Sequence, residues 1–178
     1  LETNFEGTFA LPAMADINEK SKTANAVLIG CGIGFNKDTT TLVQNLIKDI
    51  KTPMIIDADG INALSTNIDI LKEAQAPVII TPHPGEMSRL CGKTVAEIIA
   101  NPIAVAYDFA KKYNVTVVLK TANTVVCSPD ANGIYINTSG NAGLARGGSG
   151  DLLAGMAVSL LAQGMSPFNA AVCAVYLH

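Results

Sequence analysis

Short, wholly apolar runs alternate with amphipathic stretches along most of the chain. Residues 26–29 (AVLI) form one such run, closed by Gly30. Residues 54–56 follow Pro53, residues 78–80 end before Pro82, and residues 115–119, apolar except at Thr116, form a fourth run. Continuous apolar runs of this length predict strands buried on both faces, as in a parallel sheet. Residues 39–50 carry Leu42, Val43, Leu46, Ile47 and Ile50 on one helical stripe, with Asp38 or Thr39 as the cap. Residues 101–112 read as a helix with Pro102 at its first position. Residues 124–127 and 133–136 predict a hairpin joined by the polar turn SPDAN. After Gly147 come two apolar helices, the first ended by Gly164 and the second opened by Pro167. Residues 1–25 read as irregular or weakly helical.

Strands alternating with helices predict an α/β fold, a three-layer α/β/α sandwich with a mainly parallel sheet and right-handed crossovers. Ligands are then expected at the carboxyl ends of the strands. A length of 178 residues predicts one domain over residues 1–178. The last helix ends in apolar residues without a stop signal, and the first residues arrive without a strand. The expectation is a domain whose N-terminal strands and last helix end lie outside this sequence.

Composition narrows the function classes. Apolar residues make up 49% of the chain and charged ones 15%, which suits a packed core and argues against disorder. A net charge of −3 offers nucleic acid or an anionic membrane no attraction. No apolar run approaches the roughly 20 residues of a membrane span, and the first residues lack the features of a signal peptide. Cys31, Cys91, Cys127 and Cys173 are widely spaced with no CxxC pair, which disfavours zinc and fits free thiols in a reducing cytoplasm.

The most informative segment is residues 139–155, SGNAGLARGGSGDLLAG. Gly147, Gly148 and Gly150 permit close backbone approach. With Ser149 they open a helix whose first N–H groups and dipole favour an anion. Asp151 falls in that first turn. A tight loop followed by an ordinary N-terminal carboxylate is the plainer alternative. No lysine follows the glycines, so this is not a Walker loop. GCGIG at 30–34 follows a strand but has Phe35 where a dinucleotide fingerprint needs glycine.

GGSGD resembles the anion-hole and catalytic-aspartate motif of ribokinase-like kinases. The wider set resembles one branch, the ADP/ATP-dependent NAD(P)H-hydrate dehydratases. That set is GCGIG (30–34), DADGINAL (57–64), TPHPGE (81–86), VLKTA (118–122) and GNAGLARGGSGD (140–151). Against the family pattern Cys31 replaces proline, Thr121 glycine, Ala142 proline and Ser149 threonine, and Arg146 stands where a small polar residue is usual. Thr121 and Arg146 would crowd or adjust the nucleotide site.

The resemblance implies a lyase that repairs hydrated NADH or NADPH. ADP or ATP phosphorylates the ring hydroxyl, phosphate leaves, and the double bond returns. Asp151 would be the base, and Gly147, Gly148, Ser149 and Gly150 the anion hole. Gly32, Gly34, His83 and Asp151 would meet the hydrate. Lys120, Thr121, Ala122, Asn123, Thr124, Asn141 and Gly150 would line the adenine nucleotide. Plainer alternatives stay open: a loop histidine capping a carbonyl for His83, and a surface lysine for Lys120. Glu86 is a helix-capping carboxylate or a water-mediated Mg2+ ligand. Asp57 and Asp59, on one side of an extended strand end, would approach Mg2+ or phosphates, or form an Asx-turn with Gly60. Small-molecule substrates, no nucleic-acid or membrane partner and a cytoplasmic homo-oligomer complete the expectation. A ribokinase-like kinase of a small alcohol and a non-catalytic nucleotide-binding module are the competing functions.

Overall fold

The structure is a computed structural model and describes residues 2–4, 7–130, 133–140, 142–144 and 146–178. Among these, six strands form one sheet in the order β1 to β6. They are β1 (Val27–Ile29), β2 (Met54–Ile56), β3 (Val78–Ile80), β4 (Thr116–Leu119), β5 (Val125–Cys127) and β6 (Ile134–Ile136). The first four run parallel, with Leu28 opposite Ile55 and Ile55 opposite Ile79. The hairpin formed by β5 and β6 adds antiparallel to β4. The predicted strands are all present; β2 to β5 are buried at every position, as continuous apolar runs favour, whereas β6 leaves Ile134 and Ile136 exposed.

Alternation along each strand divides the core in two. Met54, Ile56, Val78, Ile80, Val117 and Leu119 face one helical layer. That layer is α1 (Ala13–Ser21), α2 (Lys37–Asp49), α3 (Asp59–Leu64), α4 (Pro84–Cys91), α5 (Val95–Ala100) and α6 (Pro102–Tyr113). Ile55, Ile79, Val118 and Val126 face the other layer, α7 (Ser149–Ala162) and α8 (Pro167–Leu177). Ala154, Ala157, Ala170, Ala171 and Ala174 are buried there, and their small side chains let the two helices lie close to the sheet. Among the described residues no helix is long and apolar enough to cross a membrane.

Two local expectations are corrected. The stretch before residue 25 contains a regular nine-residue helix, α1, rather than weak helix. Helix α2 is capped by Asn36, not by Asp38 or Thr39. The Asn36 side chain accepts from the Thr39 N–H at 2.9 Å, and Thr39 Oγ1 accepts from the Asn36 N–H at 3.0 Å. Asn36 Nδ2 also donates to Thr8 Oγ1 at 2.7 Å, tying the N-terminal segment to the helix start. The cap therefore lies two residues upstream of Asp38 and three upstream of Thr39. Replacing Asn36 by Ala removes both anchors. The expected loss is about 1–2 kcal/mol, read as a lower denaturant midpoint with an unchanged slope.

Candidate functional site

Strands β1 to β4 all end on the same side, and four of the five sequence motifs begin where they end. Gly30 (φ 131°) turns the chain out of β1. A Cβ at this position would fall 1.7 Å from the carbonyl oxygen of Asp57, so only glycine lets the ends of β1 and β2 approach this closely. The loop beyond it carries Cys31, Gly32 and Gly34.

Asp57 leaves β2 into the centre of this edge. Its side chain is 2% exposed. Oδ1 accepts from Thr81 Oγ1 at 2.6 Å and from Lys120 Nζ at 2.9 Å. Thr81 and Lys120 follow β3 and β4, so one carboxylate joins the ends of three neighbouring strands. Asp59 does not share its direction. Ala58 adopts φ 48°, ψ −119°, which breaks the extended run on which a common side depended. Asp59 opens α3 instead, accepting from the Gly34 N–H at 3.1 Å and from Asn62 Nδ2 at 3.2 Å. The turn to Gly60 is closed by the Asp57 backbone carbonyl at 2.9 Å, not by a side-chain Asx-turn.

The predicted anion loop lies over this network. Gly148 (φ 86°) is the residue before α7 and supplies no side-chain cap. The Ser149 N–H is bonded to the Arg146 carbonyl at 3.2 Å, so of the expected anion-hole donors this one is already used. The Gly150 and Asp151 N–H groups lie in the first turn, where a helix offers no internal acceptor. A Cβ on Gly150 would sit 3.3 Å from Lys120 Nζ and 3.9 Å from Asp57 Oδ2. The α7 start therefore rests directly on the buried ion pair. Gly147, Arg146 and Asp151 are exposed. Asp151 is brought together with Cys31 and Asp57: one ligand atom of each lies within 4.8 Å of the others.

Cys31 stands where the resembled motif has proline. Burial first, then the Asp151 and Asp57 carboxylates, push its thiol up to about 12. It stays protonated and faces Asp57 Oδ2 across 3.8 Å. A protonated thiol is a poor partner for a hard cation, and Lys120 and Thr81 already engage Asp57 Oδ1. The oxygens left to a Mg2+ ion here are those of Asp151 and Asp57 Oδ2. Glu86 is outside this group and caps α4: Oε2 accepts from the His83 N–H at 2.7 Å.

His83 caps the same helix, through amides rather than a carbonyl. Its Nδ1 accepts from the Gly85 and Glu86 N–H groups at 3.0 and 3.3 Å. In the neutral ring the proton then lies on Nε2. The side chain is 53% exposed, and its Nε2 lies 3.5 Å from Glu86 Oε1. The Pro82 carbonyl accepts from the Lys120 N–H at 2.8 Å, which keeps the histidine loop against the end of β4. Thr121, Ala122, Asn123 and Thr124 make the tight turn from β4 to β5, closed by Thr121 Oγ1 donating to the Asn123 carbonyl at 2.7 Å. Asn141 lies outside the described residues.

Two participants were not singled out from sequence. Thr81 was quoted only as part of TPHPGE, although a hydroxyl beside a buried carboxylate is the expected partner. His178 holds Ser149 across 2.8 Å, a contact between residues too far apart in sequence for a local pattern to reveal. A concavity of about 1020 Å³ opens at the other end of the sheet, lined in part by Gln75, Lys112, Asn114 and Phe168. None of the motif residues lines it; they gather at the open shelf at the strand ends.

Breaking the central ion pair from the lysine side leaves a buried charge. Lys120→Met is expected to cost about 3 kcal/mol, the lower end for a buried pair because the lysine is partly exposed. Thermal unfolding of the variant checks this, with Asp57→Asn/Lys120→Met milder than Lys120→Met alone. The raised thiols give a pH signature. Burial also pushes Cys127 up to about 11. An unfolded thiol ionises at its ordinary value of 9.0, so the stabilisation is complete below that pH and is lost as pH rises towards 11–12. Melting temperature should fall over this range, and less steeply in Cys127→Ala.

The sequence profile of the family described as NAD(P)H-hydrate dehydratase matches residues 2–178. The bifunctional NAD(P)H-hydrate repair enzyme of Thermofilum pendens is 40% identical over 178 residues, all of this chain and 34% of that protein. The ADP-dependent (S)-NAD(P)H-hydrate dehydratase of Neisseria meningitidis is 43% identical over 167 residues, 92% of this chain and 56% of that one. Among solved structures, the ADP/ATP-dependent NAD(P)H-hydrate dehydratase of Bacillus subtilis, co-crystallised with ATP/Mg2+ and soaked with CoA, superposes with a TM-score of 0.75. The two are 32% identical, over 90% of this chain and 59% of that one. The chain thus spans between a third and three fifths of the length of these relatives. A profile match from residue 2 to residue 178, on a ribokinase-like α/β sandwich with these motifs at its strand ends, means that the chain belongs to the NAD(P)H-hydrate dehydratase family.

Proposed function

We propose that the protein containing this chain restores hydrated NADH or NADPH at the expense of ADP or ATP. The hydrate carries a hydroxyl on a saturated ring carbon, and hydroxide is a poor leaving group at neutral pH. Transfer of a phosphoryl group to that oxygen, with loss of its proton, makes phosphate the leaving group. Loss of a ring proton with the phosphate then restores the double bond. The observation that carries this reading is the placement of Asp151 in the first turn of α7, beside the paired Asp57 and above Lys120.

Phosphoryl transfer needs positioning and charge stabilisation more than covalent help. The Gly150 and Asp151 amides, with the α7 dipole, are suited to the charge on the transferring group. Asp151, exposed and next to those amides, would take the hydroxyl proton. Lys120 lies under the loop, where its charge would favour nucleotide phosphates. The turn 121–124, with Asn141, would meet the adenosine. Gly32, Gly34 and the half-exposed ring of His83 would meet the hydrate. Mg2+ bound with the nucleotide would be held by Asp151 and the outer oxygen of Asp57, and would offset phosphate charge. A cytoplasmic homo-oligomer with its sheet in one domain belongs to the same proposal. An alcohol kinase would use the same groups, but no observation favours it.

The test uses the protein at its natural full length, with prepared hydrate and either nucleotide. Wild type should regenerate the reduced-nicotinamide absorbance and release inorganic phosphate, whereas a kinase would accumulate a stable phosphorylated alcohol. Asp151→Asn should lose about 10²–10⁴-fold in turnover while nucleotide affinity changes little. Turnover within about ten-fold of wild type would fall short of a lost base and sink the assignment.

A further inference from the structure

The anion loop has almost nothing with which to hold its own position. Residues 146–150 are Arg-Gly-Gly-Ser-Gly. The three glycines have no side chains to pack, and Arg146 is exposed. Among the described residues, Ser149 supplies the side-chain hydrogen bond from this stretch to another element: its Oγ lies 2.8 Å from His178 Nε2. His178 follows α8, and its own N–H is bonded to the Ala174 carbonyl at 2.9 Å.

Helix α8 is a firm support. Ala170, Ala171 and Ala174 are fully buried against the sheet. Ser166 caps the start of the helix, and Asn137 Nδ2 donates to the Val175 carbonyl near its end. The same contact decides what the Ser149 hydroxyl does not do. A serine at a helix start readily bonds nearby backbone amides, yet α7 has no side-chain cap. Engaged by His178, the hydroxyl is directed away from the Gly150 and Asp151 amides.

We propose that His178 is a positioning residue that acts through Ser149. It fixes the glycine loop over the Asp57–Lys120 pair and keeps the first amides of α7 open to the transferring phosphoryl group. This inference rests on the reading of that loop as the phosphoryl site.

The test is a double-mutant cycle in the full-length protein, with hydrate and nucleotide kinetics and melting temperature measured for each variant. His178→Ala and Ser149→Ala should each lower kcat by about ten-fold, within the range of coupled contacts, with KM for the hydrate unchanged. The double variant should be no slower than the worse single one, because both remove the same bond. His178→Gln, which can place an amide nitrogen near the lost Nε2, should recover most of kcat. Wild-type kcat in His178→Ala, losses that multiply in the double variant, or a Gln variant no better than Ala would each overturn the inference. If His178→Ala does not fold, wild-type kcat in Ser149→Ala overturns it equally. Asp151→Asn run in parallel separates the two levels. If Asp151→Asn keeps turnover, the phosphoryl-site assignment itself falls. If it is inactive while His178→Ala is not, only the role of His178 falls.

Discussion

A carboxylate withdrawn from water must be paired, and Asp57, with its side chain 2% exposed, is paired with Lys120 at 2.9 Å. That contact lies where β2, β3 and β4 end, and Thr81 completes it from β3. The remaining features of the edge follow from its position. The Asp57 carbonyl presses so closely on β1 that residue 30 must be glycine. The Lys120 ammonium lies close under α7: a Cβ at residue 150 would meet it at 3.3 Å, a tight contact. The ion pair thereby sets the height at which the α7 amides stand above the sheet. Such a pair need not add stability relative to apolar residues of the same volume. Its contribution here is to fix where the charges are.

The parallel strands were legible because they are apolar at nearly every position, Thr116 being the exception, and such runs are buried on both faces. The hairpin was legible because a polar turn separates two short apolar runs. The details at element starts were not. Asn36 caps α2 through Thr39 and is also held by Thr8, 28 residues away, so the choice among Asn36, Asp38 and Thr39 depended on a tertiary contact. Ala58 has positive φ although it is not glycine. No local preference predicts that conformation, and it alone sends Asp57 and Asp59 to different partners. For the candidate site, the motifs indicated which residues gather, while the hydrogen bonds within the gathering, such as Ser149 to His178, had no sequence signal.

Fold alone carries no function. A three-layer sandwich with a glycine-rich helix start suits many phosphoryl-transfer reactions. What distinguishes this edge is the sequence of groups across it: an exposed carboxylate at the helix start, a buried carboxylate paired with lysine, and a histidine whose Nδ1 is committed to the backbone. The Nε2 of this histidine also lies 3.5 Å from Glu86 Oε1, so both ring nitrogens are turned to the start of α4. Its orientation is set by the cap of α4 and by the two prolines beside it, not by a ligand.

Cys31 shows how a departure from the family pattern can be accommodated. Two carboxylates close to one thiol repel each other and disfavour any further negative charge. Lys120 compensates one carboxylate from the buried side. A proline at position 31 would have no side-chain donor to offer the other side. The cysteine thiol, held protonated by burial and by those same carboxylates, faces Asp57 Oδ2 with its hydrogen. The substitution therefore adds a weak donor without adding charge. Asp151, the exposed member of the trio, stands at its solvent side.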